Sequence, residues 1–132
     1  MNRKWLGIIL LLIAPYVSAQ TAHWVTAQHD QDSITYIDRN SIQIVDQRPH
    51  VVQYQRRSIY QHAVPQWSIP AQGYTQGIER MNCDNETHAI IESGFYTPKG
   101  KPIGDVGRLE HIYFDSIADD YELHHVYRVV CS

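Results

Sequence analysis

The densest apolar run in this chain lies at its very start, where it cannot be counted towards a core. Arg3 and Lys4 precede the run from Trp5 to Ala14, Pro15 interrupts it, and Val17-Ser18-Ala19 closes the segment with small residues at the two positions a signal peptidase reads. A basic start, a short apolar centre and a small-x-small exit define a cleavable secretory leader over residues 1–19. A membrane anchor is the rival reading. About ten residues rise only about 15 Å as a helix, against the roughly 30 Å of a bilayer core. No later window approaches the length of a transmembrane span, and Gln20 stands where a lipoprotein carries its modified cysteine, so no direct lipid anchor is expected.

Removing 19 residues from 132 leaves 113, enough for one domain with a modest core. The leader takes two of the 11 basic residues and none of the 14 acidic ones, so the net charge moves from −3 to −5. That balance excludes a general nucleic-acid binder, which needs an excess of Lys and Arg against phosphate. With 43% hydrophobic and 19% charged residues, the sequence is also too apolar and too lightly charged for a disordered chain.

Both cysteines, Cys83 and Cys131, fall in the exported part. In an oxidising compartment two cysteines are expected to pair. They enclose 47 residues, for which chain entropy gives about 4 kcal/mol. A catalytic thiol or a metal ligand is the alternative, and neither cysteine sits in a CxxC or CxxH pattern.

Short β-type segments dominate the rest. His23 to Ala27 opens the series. Ser33 to Ile37 and Ser41 to Val45 are separated by the turn-forming Asp38-Arg39-Asn40, and Val51 to Tyr60 is the longest candidate. In that strand Gln53, Gln55 and Arg57 share one face, and Val52, Tyr54, Arg56 and Ser58 the other, which is not cleanly apolar. Pro65 and Pro70 make Gln61 to Gln72 a loop that carries Trp67. Gly73 to Cys83 and Thr87 to Tyr96 flank the turn Asp84-Asn85, a hairpin signal. Pro98-Lys99-Gly100 leads into Lys101 to Val106, and Leu109 to Phe114 reads as a further strand.

The carboxyl end differs. Ser116 is a candidate N-cap with Asp119 three positions on. Leu123, Val126, Tyr127 and Val130 form one helical stripe, so the spacing predicts a helix over Ile117 to Val130. The β-favouring Tyr127, Val129 and Val130 keep a final strand as the alternative. The expected fold is α+β: one antiparallel sheet of about six strands with a carboxy-terminal helix packed on it, tethered through Cys83 and Cys131.

Candidate chemistry is sparse. Asp120 and His124 share a helix face, but two ligands do not close a metal site, and His125 points about 100° away from His124. His88 and His111 lie in strand segments and read as solvent-facing or hydrogen-bonded. The carboxylates Asp115, Asp119, Asp120 and Glu122 lack the central glycine of a calcium loop, and helix-dipole matching accounts for Asp119 and Asp120. No GxSxG, HExxH or phosphate-cradling glycine loop occurs. The expectation is a non-enzymatic protein without cofactor or metal. Its candidate contact residues are the aromatics Tyr54, Trp67 and Tyr74, the pair Arg56 and Arg57, and the cationic tip Lys99 and Lys101.

Several of these pieces occur together in an order that resembles the surface-adhesin protein E family of small exported proteins from Gram-negative bacteria. They are Trp24, Tyr36-Ile37-Asp38 followed by Ser41-Ile42, the strand from Val51 to Ser58, Cys83, Gly94-Phe95-Tyr96 with Gly100 and Ile103, and the terminal Val130-Cys131. The resemblance covers Trp24 to Cys131, so residues 20–132 are expected to form one domain of that kind. It implies a curved antiparallel sheet with a tethered carboxy-terminal helix, display at the cell surface, and attachment to host matrix proteins such as laminin or vitronectin. The family's named member is a lipoprotein, and this chain departs from it at Gln20. A secreted or periplasmic product is therefore weighed beside a surface-associated one, and an accessory protein of the cell envelope with no host contact is the alternative function. A small-ligand binder using the concave face of the sheet is a third reading. Unprotected edge strands favour a homodimer.

Overall fold

β-Branched and aromatic residues, punctuated every ten or so positions by turn-forming ones, lay this chain down as a meander. The computed structural model describes residues 21–132, so the leader expected over residues 1–19 lies outside the described residues. Six strands lie side by side in chain order: β1 (Trp24–His29), β2 (Ser33–Gln47), β3 (His50–Tyr60), β4 (Tyr74–Asn82), β5 (Thr87–Tyr96) and β6 (Pro102–Arg108). Each neighbouring pair is antiparallel. A two-residue strand, β7 (Asp115–Ser116), pairs with Thr87 and His88 on the same edge of β5 that β6 occupies further along. The helix α1 (Tyr121–Val130) then packs back on β1 and β2. The α+β expectation, one antiparallel sheet with a carboxy-terminal helix, is what the chain forms.

The core lies between the helix and one face of the sheet. Ile37 of β2, Val52 and Tyr54 of β3, and Met81 of β4 meet Ile117, Val126 and Val130 there. Val52 stands opposite Met81 in the register, and Tyr54 opposite Glu79. Val126 and Val130 carry the buried part of the helical stripe, with Leu123 and Tyr127 packed at its margin. Fully burying a valine is worth about 1.5–3 kcal/mol, so this stripe accounts for much of the docking. Cys83 and Cys131 are joined, their Cα atoms 5.6 Å apart. The Tyr127 hydroxyl reinforces the tether by donating to the Cys83 carbonyl at 2.8 Å.

Three local expectations are corrected. Asp38-Arg39-Asn40 does not turn the chain; β2 runs through it, with irregular pairing to β3 between Asp38 and Gln43. The Asp38 carboxylate accepts from the backbone N–H of His23 (2.8 Å) and of Asn40 (3.0 Å), so its turn chemistry is spent at the pairing irregularity within one long strand. Leu109 to Phe114 is not a strand. The Leu109 N–H still reaches the Ile91 carbonyl at 3.0 Å. The chain then leaves the sheet and exposes its apolar side chains until β7. The helix starts at Tyr121 rather than Ile117, because Asp120 takes the N-cap and accepts from the Leu123 N–H at 3.0 Å. Ser116 belongs to β7, and Ile117 is a fully buried plug before the helix.

Candidate functional site: an ionic cleft with an aromatic rim

The core-facing side of β3 changes character along its length. Val52 and Tyr54 are apolar and buried; two residues on, the strand places Arg56 on the same face, and then Ser58. A guanidinium there needs carboxylates within reach. Arg56 Nη1 donates to both oxygens of Glu79, each at 3.3 Å, and Nη2 donates to Glu122 in the first turn of the helix. Glu79 also accepts from the Tyr54 hydroxyl at 3.3 Å and pairs with His88 Nε2 at 2.8 Å. An ionised carboxylate only accepts, so that contact places the imidazole proton on Nε2. Thr35 joins Glu122 to the sheet by donating to it, and shares a 3.0 Å hydrogen bond with Ser58.

Burial alone would raise the Glu79 carboxyl, but Arg56 and the His88 hydrogen bond outweigh it and hold it below the usual carboxylate range. For Arg56 burial opposes the charge, and Glu79 with Glu122 more than restores it. Burial, followed by the Glu79 charge, pushes the Tyr54 hydroxyl well above its ordinary value. Two carboxylates thus face one guanidinium, with the His88 imidazole against Glu79. The oxygens of Glu79 are committed to three partners, an arrangement suited to fixing charge in place.

This network floors an open cleft of about 240 Å³. Tyr60, Trp67, Ile90 and Phe95 supply its apolar walls, and Glu122 closes it beside the helix. Trp67 belongs to a single turn of 3₁₀ helix, Pro65–Trp67, pinned by the bridge between Val64 and Ile69. Its indole stacks on Phe95 (centroids 5.9 Å, planes 15° apart), and Tyr60 meets it edge-on at 6.2 Å. Even so, Trp67 is 47% exposed. A second cleft, about 510 Å³, shares Arg56 and Ile90 with the first and is walled by Leu109, Tyr113 and Leu123. Tyr113 is 71% and Leu109 52% exposed. The two clefts form one continuous aromatic and aliphatic surface around an ionic floor.

The structure separates the residues singled out in the sequence. Tyr54 is only 1% exposed and belongs to the core, which removes it from any contact surface. Arg56, its side chain 17% exposed, is locked into the floor. Arg57 lies on the opposite face of the sheet, its guanidinium between the rings of Trp24 (4.5 Å) and Tyr74 (4.6 Å), with Nε donating to Gln76 at 2.8 Å. Tyr74 in turn stacks on Tyr96. Lys99 and Lys101 are exposed around Gly100, whose φ of +87° makes the tight turn. Trp67 and Arg56 line the same cleft, while Arg57 and Tyr74 meet on the other face of the sheet. Asp120 caps the helix, and His124 Nε2 lies 3.4 Å from the Ala118 carbonyl. Among the described residues no group of three or more His, Cys, Asp or Glu is placed to hold a metal ion, and no helix is long and apolar enough to cross a membrane.

Glu79 was not singled out by sequence, Glu122 was named only among the carboxylates weighed for calcium, and Phe95 only in the Gly94-Phe95-Tyr96 piece of the resemblance. The available signal was Arg56, a cation on the same strand face as Val52 and Tyr54; such a position demands an anionic partner, and the register then points to Glu79. Compared with known proteins, the chain matches no family model, no curated protein and no solved structure.

Proposed function

We propose that this chain is an exported, non-enzymatic recognition module that binds another protein through the twin cleft, with a host matrix protein such as laminin or vitronectin as its partner. The observation that carries the reading is Trp67, nearly half exposed on the rim and continuous through Ile90 with exposed Leu109 and Tyr113. Exposed aromatic surface beside fixed charges is the composition of protein-binding hot spots. The resemblance to the surface-adhesin protein E family supports the same reading. The test is binding of the purified protein to immobilised laminin and vitronectin at physiological salt. Saturable binding supports the proposal, and its absence on both sinks the matrix assignment.

A second reading, an accessory protein of the periplasm with no host contact, rests on Gln20, the residue after the expected cleavage point where a lipoprotein would carry cysteine. Protease added to intact cells separates the two. Cleavage of the protein supports surface display, and protection supports the periplasm.

A further inference from the structure

The smaller cleft has a more definite chemistry than a general contact surface. Its floor brings two carboxylates, Glu79 and Glu122, to a single guanidinium, Arg56, with His88 Nε2 2.8 Å from Glu79. Glu79 is itself buried, and its Oε2 is engaged only by Arg56 at 3.3 Å. Above this floor stand aromatic faces: the stacked pair Trp67 and Phe95, with Tyr60 against the indole. An aromatic face attracts a cation through its quadrupole, most strongly for Trp. The apolar walls suit the methylene stem of a long basic side chain. At about 240 Å³ the space falls below the usual range for a drug-sized ligand, which favours one long side chain over a whole small molecule. The exported chain as a whole carries 14 acidic against 9 basic residues, once Arg3 and Lys4 are set aside, and so attracts basic partners.

We propose that this cleft receives a basic side chain, lysine or arginine, displayed by the protein partner, with its stem against Trp67 and Phe95 and its charge at Glu122 and Glu79. The inference rests on the recognition reading above and assigns that site its ligand chemistry. Arg56 then holds the two carboxylates in place for the incoming cation.

The test is an NMR titration of the isotope-labelled protein with the blocked tripeptides Gly-Lys-Gly and Gly-Arg-Gly and with the Nε-acetylated lysine peptide. The readouts are the Trp67 indole N–H and the backbone amides of Gly77, Ile90 and Phe95. Saturable shifts with both basic peptides are expected. Acetylation should weaken binding at least tenfold, as should Trp67→Ala or Glu122→Gln, and added salt should weaken it further. Trp67 is carried on an exposed loop and Gln can still accept from Thr35, so both variants should keep a folded, dispersed spectrum. Shifts that never saturate, equal shifts from the acetylated peptide, or unchanged binding in Trp67→Ala each overturn the inference. Its failure is distinct from failure of the wider reading. Matrix binding that depends on Trp67, without peptide binding, leaves recognition standing and removes the basic side chain. Peptide binding without matrix binding does the reverse.

Discussion

Replacing Arg56 by Met tests whether the buried ionic floor is held together as the geometry indicates. Methionine keeps the length and most of the apolar stem, but leaves Glu79 facing the core without its guanidinium partner. Removing one member of a buried pair costs about 3–5 kcal/mol. Arg56 retains 17% side-chain exposure and Glu122 35%, so the lower end, about 3 kcal/mol, is expected. With a urea slope of about 1.5 kcal/mol per molar, the unfolding midpoint should fall by roughly 2 M. The pH dependence gives the sharper signature. In the native protein Glu79 is held below its ordinary value. Its contribution is therefore complete above the unfolded carboxyl pKa of about 4.3 and is lost only as pH falls through the lower folded value. Between pH 7.5 and 5.5 this group should give no slope. In Arg56→Met burial acts unopposed by the guanidinium and raises the carboxyl, so lowering the pH across that interval should recover stability. Adding Glu79→Gln, which can still accept from Tyr54 and His88, should restore most of the loss at pH 7.5. The reasoning is refuted if Arg56→Met costs less than about 1 kcal/mol, or if its pH profile runs parallel to that of the native protein.

Three further outcomes are expected. Replacing Cys83 and Cys131 together by Ser opens a 47-residue loop and should lower stability by about 4 kcal/mol in urea unfolding, while the unreduced native protein should show no free thiol on labelling after denaturation. Gly77→Ala would set a Cβ 1.9 Å from the Glu92 carbonyl oxygen, where β4 and β5 approach beside the irregular pairing at Ile78 and Glu79. It should lower the thermal midpoint by the equivalent of about 1–3 kcal/mol or more, whereas Gly107→Ala, whose nearest contact is 3.7 Å, should be tolerated. Asp120→Ala removes the cap on Leu123 and should cost about 1 kcal/mol by urea unfolding.

What the sequence disclosed follows from how local each signal is. The β4–β5 hairpin was legible because Asp84-Asn85 is itself the turn, and the disulfide because only two cysteines were available to pair. The helical stripe was legible from its spacing, though not its first residue, since Asp120 and Ser116 are equally good caps until one of them joins the sheet. The run Leu109 to Phe114 misled because β-favouring residues carry no information about whether a partner strand is present. The cleft was largely hidden. Glu79 shares the core face with Met81 by strand alternation, but its partner Arg56 lies 23 residues earlier, and Glu122 arrives from the far end of the chain. Trp67 was visible as a loop aromatic, but its stacking on Phe95 is a product of tertiary contact alone.

The central claim is that the surface around Trp67 is where the protein meets its partner. Binding of the native protein, Trp67→Ala and Ile44→Ser to immobilised laminin and vitronectin tests it most directly. Ile44 is 59% exposed near the far end of β2 and lines neither cleft, so it serves as an apolar control. Truncating a hot-spot aromatic costs about 2 kcal/mol or more, roughly thirtyfold in affinity. The account expects saturable binding that Trp67→Ala weakens by at least tenfold and Ile44→Ser leaves unchanged. Equal affinities for all three proteins, or no saturable binding to either matrix protein, would contradict it.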